Sequence, residues 1–149
     1  MSFKNILVPV DGSDTSLAVI PTVVEMAKKF DANVTVVQVM TIDPYIASEY
    51  IAHGQSNQLI ERAKNYILDN LETAKAKFKA QDLDVQVKLL EGENIAKAIA
   101  KASDELNTDL VILCSHGRSG FKKLLIGSVA QSLITTLKAP VLIVKQDDV

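Results

Sequence analysis

The sequence has too few cysteines for a disulfide bond within the chain, since Cys114 is the only one among 149 residues. A lone cysteine is typical of a reducing compartment, and we expect the cytoplasm. No run approaches the ~18 uninterrupted apolar residues that a membrane-spanning helix requires. The opening residues, MSFKNILVPVDGSD, reach acidic side chains too early for a secretory signal peptide. Secreted and membrane-spanning classes are therefore not expected.

An excess of charge of one sign is also absent. The 16 Lys and Arg residues nearly balance 18 Asp and Glu residues, whereas nucleic-acid binding requires a basic surface. Paired carboxylates, a Cys/His cluster with metal-ligand spacing and a nucleophile elbow are missing too. With 48% hydrophobic and 23% charged residues, the composition is globular. We expect one domain over residues 1–149 that binds no nucleic acid.

Five short apolar runs predict β-strands. Runs such as ILVPV, LVILC and VLIV are apolar without alternation, which is typical of strands covered on both faces. Between them, apolar residues recur at intervals of three and four, for example from Ile60 and Ala63 onward and from Ile95 onward, which predicts helices. This alternation predicts an α/β fold with a parallel sheet and helices on both faces. The runs cover residues 5–10, 33–40, 84–90, 109–114 and 140–145.

Two prolines and one long segment interrupt these patterns. Pro21 lies inside the first helical stripe, where its missing bond to Leu17 predicts a kink. Pro140 is expected to end the last helix, whose stripe includes Leu137, and to open the last strand. The segment from Thr41 to Ser56 has no period, and a loop of that length is usually a lid, a partner contact or disorder.

Two strand ends carry residues suited to a ligand, and open α/β sheets bind ligands beyond the carboxyl ends of their strands. The first strand leads into Asp11, which would accept from an adenine amino group or ribose, or else bond only to its own turn. The fourth leads into CSHGRSG at residues 114–120, and a helix is expected to begin at Gly127-Ser128. There Ser128 would either help to bind a phosphate or be a plain N-cap. His116 has no catalytic or metal-ligand partner in the sequence, so it is expected to be structural or to flank a ligand.

The chain resembles the universal stress protein family at these loops and in its strands. The family's ATP motif is Gly, two residues, Gly, nine residues, then Gly-Ser or Gly-Thr. Here Gly117 is the second glycine and Gly127-Ser128 close the motif, whereas the first glycine falls on Cys114. Nearly the whole chain resembles the family, through ILVPVDGS (6–13), EG (91–92), DLVIL (109–113), SHGRSG (115–120), LIGSVA (125–130) and PVLIV (140–144).

The resemblance implies a nucleotide-binding stress-response protein with a Rossmann-like, adenine nucleotide α-hydrolase-like fold and strand order 3-2-1-4-5. It implies ATP, with Mg²⁺, in the loops after strands 1 and 4 and at a helix N-terminus, and a homodimer joined along the last strand, Pro140 to Lys145. The backbone of Val39 would meet adenine, and Leu113 would pack on the ligand. The implied site comprises Pro9, Val10, Asp11, Val39, Leu113, Gly117, Arg118, Gly120, Gly127, Ser128 and Val129.

The cysteine in the motif would affect either the width of the pocket or the strain of the backbone. Cys114 narrows the pocket slightly or, if the family's glycine needs a positive φ, carries ~1–3 kcal/mol of strain. Its simplest role is that of a small buried hydrophobe at a strand end.

Other functions remain open. Slow ATP hydrolysis or adenylyl transfer is one, although the sequence positions no base. A stress protein that binds no nucleotide and acts through dimerisation and partners is another. A phospho-receiver domain is disfavoured, because Leu90-Glu91-Gly92 stands where it needs an aspartate.

Overall fold

A five-stranded parallel sheet organises the computed structural model, which describes residues 2–41, 58–115 and 127–145. The strand order β3-β2-β1-β4-β5 confirms the predicted α/β fold and the order 3-2-1-4-5. Every predicted strand is present, with small differences at its ends. The strands are β1 (Asn5–Pro9), β2 (Asn33–Thr41), β3 (Gln86–Gly92), β4 (Leu110–Cys114) and β5 (Val141–Val144). The helices are α1 (Ile20–Phe30), α2 (Gln58–Lys79), α3 (Ile95–Glu105) and α4 (Ser128–Thr136).

The central strands point their side chains alternately into two cores. Ile6 and Val8 of β1 pack in the core that includes residues of α1 and α2, such as Phe78. Leu7 lies on the opposite face, in the core that includes Leu133 of α4. Both faces of β1 are therefore buried, which explains why its sequence is apolar without alternation.

The predicted kink at Pro21 was wrong. A 3₁₀ turn, Thr15–Val19, precedes α1, and Pro21 lies in the first turn of that helix. The N–H groups of a first turn have no partner within the helix, so a proline there forfeits no hydrogen bond.

The end of α4 also differs from the prediction. The helix ends at Thr136, before Pro140 is reached. Leu137 is its C-cap: the Leu137 N–H donates to the Leu133 carbonyl oxygen at 2.9 Å, and its side chain packs on the same core as Val129 and Leu133, so the predicted apolar stripe holds. Pro140 does open the last strand, because its carbonyl oxygen accepts the Val111 N–H at 2.9 Å. β5 then forms one edge of the sheet.

The predicted loop from Thr41 to Ser56 lies outside the described residues except for Thr41, which ends β2. Within the described ranges, no helix combines the length and apolarity needed to cross a lipid bilayer.

Candidate functional site

A cavity of about 570 Å³ lies at the carboxyl ends of β1, β2 and β4. In the sheet, β1 has β2 on one side and β4 on the other, so the strand order reverses beside β1. Open α/β sheets bind ligands at such a reversal, and the volume is within the range of small-molecule sites. The cavity is therefore the candidate site.

The turn after β1 is held by the Asp11 carboxylate. Its Oδ1 accepts hydrogen bonds from the Ser13 N–H, at 2.9 Å, and from the Ser13 hydroxyl. Asp11 therefore stabilises its own turn by accepting these two hydrogen bonds. Among the described residues, no group donates to Oδ2. Since Asp11 also lines the cavity, one carboxylate oxygen is left for a ligand.

β2 continues past the end of β1 and presents a backbone edge there. The Val10 N–H donates to the Val37 carbonyl oxygen at 2.8 Å. Residues two apart in a strand direct their N–H and C=O groups to the same side, so those of Val39 also point toward β1, beyond its end. No described residue pairs with them, and Val39 lines the cavity. Val39 thus offers one donor and one acceptor side by side.

The end of β4 meets the N-terminus of α4 at the same cavity. The Gly127 N–H donates to the Ser115 carbonyl oxygen at 2.8 Å, so the chain returns at Gly127 to the point that it left after Ser115. Gly127 is the N-cap, and no side chain caps the helix. Ser128 is therefore the first helical residue and not an N-cap. The uncapped N–H groups and the helix dipole favour an anion here.

This cavity brings together all of the predicted site residues that the structure describes. Its lining includes Pro9, Val10, Asp11, Val39, Leu113, Gly127, Ser128 and Val129. Their contact with a ligand stays a prediction. Gly117, Arg118 and Gly120, like His116, lie outside the described residues.

Sequence reasoning missed Ile95 and Ile99 of α3 and the whole wall on the other side of the cavity. That wall comprises Ala63, Tyr66 and Ile67 of α2 together with Gln38 and Met40 of β2, and we call it the α2 wall. Gln38 gave a signal in retrospect, because it is a polar residue within the apolar run VVQVM. The α2 residues gave none, since an apolar stripe does not reveal whether it faces a core or a cavity.

Cys114 carries no backbone strain. It lies in β4 as a buried free thiol, and it is not among the described residues with positive φ. The strained alternative for this position is therefore excluded. Cys114 packs in the core beneath α1 and α2 and also lines the cavity, so it narrows the cavity as a small hydrophobe would.

The cavity has little charge of its own. Asp11 is the one charged side chain among the described residues that line it. In the described ranges, no group of three His, Cys, Asp or Glu side chains is placed to hold a metal ion.

Comparison with known proteins identifies the family. A sequence model of the universal stress protein family matches residues 2–145. The chain belongs to this family. A universal stress protein of Methanocaldococcus jannaschii is 30% identical over 144 residues, which cover 97% of this chain and 83% of the relative. The resemblance inferred from the motifs is confirmed.

Solved structures show the same fold as this universal stress protein. Hypothetical protein MJ0577 has a TM-score of 0.77 and 27% identity, with 100% of both chains covered. A universal stress protein in complex with cAMP has a TM-score of 0.68 and 21% identity, covering 99% of this chain and 100% of its own. The Archaeoglobus fulgidus protein in complex with dAMP has a TM-score of 0.70 and 19% identity, covering 96% and 98%.

Proposed function

We propose that this universal stress protein binds ATP in the cavity at its strand ends and acts as a regulator in the stress response. The observation that carries the proposal is that two different recognition elements face one cavity. The backbone edge of Val39 suits a base, and the uncapped N-terminus of α4 suits phosphates. Adenine nucleotides bound to proteins of the same fold support this class of ligand.

The Val39 edge suits adenine better than guanine. Adenine has an acceptor, N1, beside a donor, the N6 amino group, so the N–H and C=O of Val39 would pair with both. Guanine has a donor, N1–H, beside an acceptor, O6. In the same position its N1–H would oppose the Val39 N–H, and its O6 would oppose the Val39 carbonyl oxygen. Discrimination of this kind comes from the mismatched partner as much as from the matched one.

The phosphates would lie at the N-terminus of α4. The Ser128 hydroxyl and the first N–H groups of the helix would donate to phosphate oxygens. Because the described residues place a single carboxylate, Asp11, in the cavity, Mg²⁺ would be held mainly by phosphates and water, as is usual for this ion.

The regulatory role would require a surface that partners read, and β5 supplies one. It is an apolar edge strand, VLIV, whose four residues are half-buried. Edge strands of this kind are usually covered, and a second copy paired along Pro140 to Lys145 would cover this one in a twofold dimer. ATP would stabilise the dimer or its conformation, in the cytoplasm, where a free buried thiol stays reduced.

Calorimetry with ATP and GTP on wild type and Gly127→Val tests the proposal. Gly127 has φ of −57° and ψ of 156°, a conformation open to valine, so the variant should fold. Its branched side chain would occupy space assigned to the phosphates. We expect wild type to prefer ATP and Gly127→Val to lose binding. Equal affinities for ATP and GTP would contradict the base-reading role of Val39, and equal ATP binding by both proteins would place the phosphates elsewhere.

A further inference from the structure

Two exposed apolar side chains line the cavity. Tyr66 of α2 is 54% exposed, and Ile95 at the start of α3 is 37% exposed. Ile95 was assigned to a helical stripe by its spacing, yet the structure leaves it exposed at the cavity. Isolated exposed apolar residues need no explanation, but two in one cavity indicate a surface that a ligand covers.

The two side chains belong to walls on opposite faces of the sheet. In the α2 wall, Tyr66 is one residue from Ile67, which belongs to the core of α1 and α2. Ile95 is on the same helix as Ile99, which belongs to the other core and also lines the cavity. The cavity therefore has one wall above the sheet and one below it.

The backbone edge of Val39 lies between these walls. Groups that pair neighbouring strands point along the plane of the sheet, and the N–H and C=O of Val39 point in this way beyond the end of β1. A ring that pairs with both groups lies near the same plane. The two faces of that ring then turn toward the two walls. The α2 wall contributes an aromatic side chain, Tyr66, to one of these faces.

Gln38 supports the involvement of the α2 wall. It is only 5% exposed, it lines the cavity, and its Oε1 is buried without a hydrogen-bond partner among the described residues. Buried polar atoms are nearly always paired, with protein, water or a ligand. The open acceptor allows this wall to take a hydrogen bond from a ligand or from water.

We propose that Tyr66 is a specificity-determining residue, whose phenol ring covers one face of the base that pairs with Val39. The inference rests on the proposed nucleotide site and adds to it a residue that is outside the family's ATP motif. Base–aromatic contact tolerates any planar ring but gives nothing to a ligand without one. Tyr66 would thus select for a ring, and Val39 would select adenine among rings.

Alanine and phenylalanine variants of Tyr66 test the proposal in the full chain. Leu68→Ala is the matched control, because Leu68 is an exposed apolar residue of the same helix outside the cavity lining. By calorimetry we expect Tyr66→Ala to weaken ATP binding roughly tenfold. Tyr66→Phe, which keeps the ring, and Leu68→Ala should bind within about twofold of wild type. Unchanged melting of ligand-free Tyr66→Ala would show that the loss is not one of folding.

Tyrosine fluorescence gives a direct second measurement. The chain has three tyrosines and no tryptophan, so Tyr45→Phe/Tyr50→Phe leaves Tyr66 as the only strong fluorophore. ATP should change its emission with the dissociation constant found by calorimetry. If ATP binds wild type but neither changes this emission nor distinguishes Tyr66→Ala, the ring lies elsewhere and only the role of Tyr66 is refuted. If wild type binds no ATP, the proposed function and this inference both fail.

Discussion

Gly12 follows the cavity residue Asp11 and has no room for a side chain. Its φ is 85°, in the left-handed region that L residues rarely adopt. A Cβ built there would lie 2.5 Å from Asn70 Nδ2 and 3.4 Å from Gln38 Nε2. Gly12→Ala therefore imposes both backbone strain and a steric conflict with α2.

The expected cost follows from three contributions. Alanine at positive φ costs ~1–2 kcal/mol. Displacing the Asn70 side chain from its rotamer costs ~0.5–1.5 kcal/mol. Alanine also restricts the unfolded chain, which returns ~0.4–1 kcal/mol. The net loss in the free energy of unfolding is ~0.5–3 kcal/mol, or roughly 1–12 °C in Tm for a chain of this size.

A double-mutant cycle separates the two causes, with urea unfolding as the assay. Asn70 Nδ2 is buried without a described partner, so Asn70→Ala should be neutral or slightly stabilising. In Gly12→Ala/Asn70→Ala the steric conflict disappears and the backbone strain remains, which predicts a favourable coupling of ~1 kcal/mol. If Gly12→Ala unfolds at the same urea concentration as wild type, Gly12 does not have this conformation in solution. If the coupling is zero, Asn70 does not contact it.

Two further predictions concern the motif cysteine and the edge strand. Cys114→Gly should lower the Tm of the ligand-free protein by roughly 2–6 °C, since it removes a packed side chain from a strand. The same change should tighten ATP binding, because it widens the cavity. Weaker ATP binding by this variant in a thermal-shift titration would contradict the prediction. Ile143→Pro should give monomers in sedimentation at micromolar concentration, because the register of β4 with β5 turns the Ile143 N–H outward, away from β4. Leu142→Pro, whose N–H faces β4, is the control that should instead unfold the edge, and a wild type that sediments as a monomer would refute the dimer.

The central strands β1 and β4 were predictable because burial on both faces leaves a mark on each of them separately. Runs such as LVILC have no polar alternation, and that holds whatever the neighbouring strand is. Local rules were weaker for helix ends. Pro21 lies between members of the expected stripe, but a 3₁₀ turn precedes α1 and places the proline in the first turn of that helix.

The site was predictable only where it follows a strand end. Asp11 directly follows the first predicted strand, and Val39 lies near the end of the second. Gly127 lies at a predicted helix start. The α2 wall depends instead on how a helix packs over those ends. Tyr66 and Ile95 lie on helices whose local patterns are satisfied by a core or by a cavity alike, so only the packed structure distinguishes the two.

An NMR titration of ¹⁵N-labelled protein with ATP tests most directly whether one nucleotide spans both ends of the cavity. The amide signals of Val39 and Ser128 lie at the base-reading edge and at the start of α4. Both should shift with one dissociation constant, and GTP at equal concentration should shift Val39 far less. Shifts confined to residues outside the cavity, with Val39 and Ser128 unmoved at saturating ATP, would contradict the proposed site.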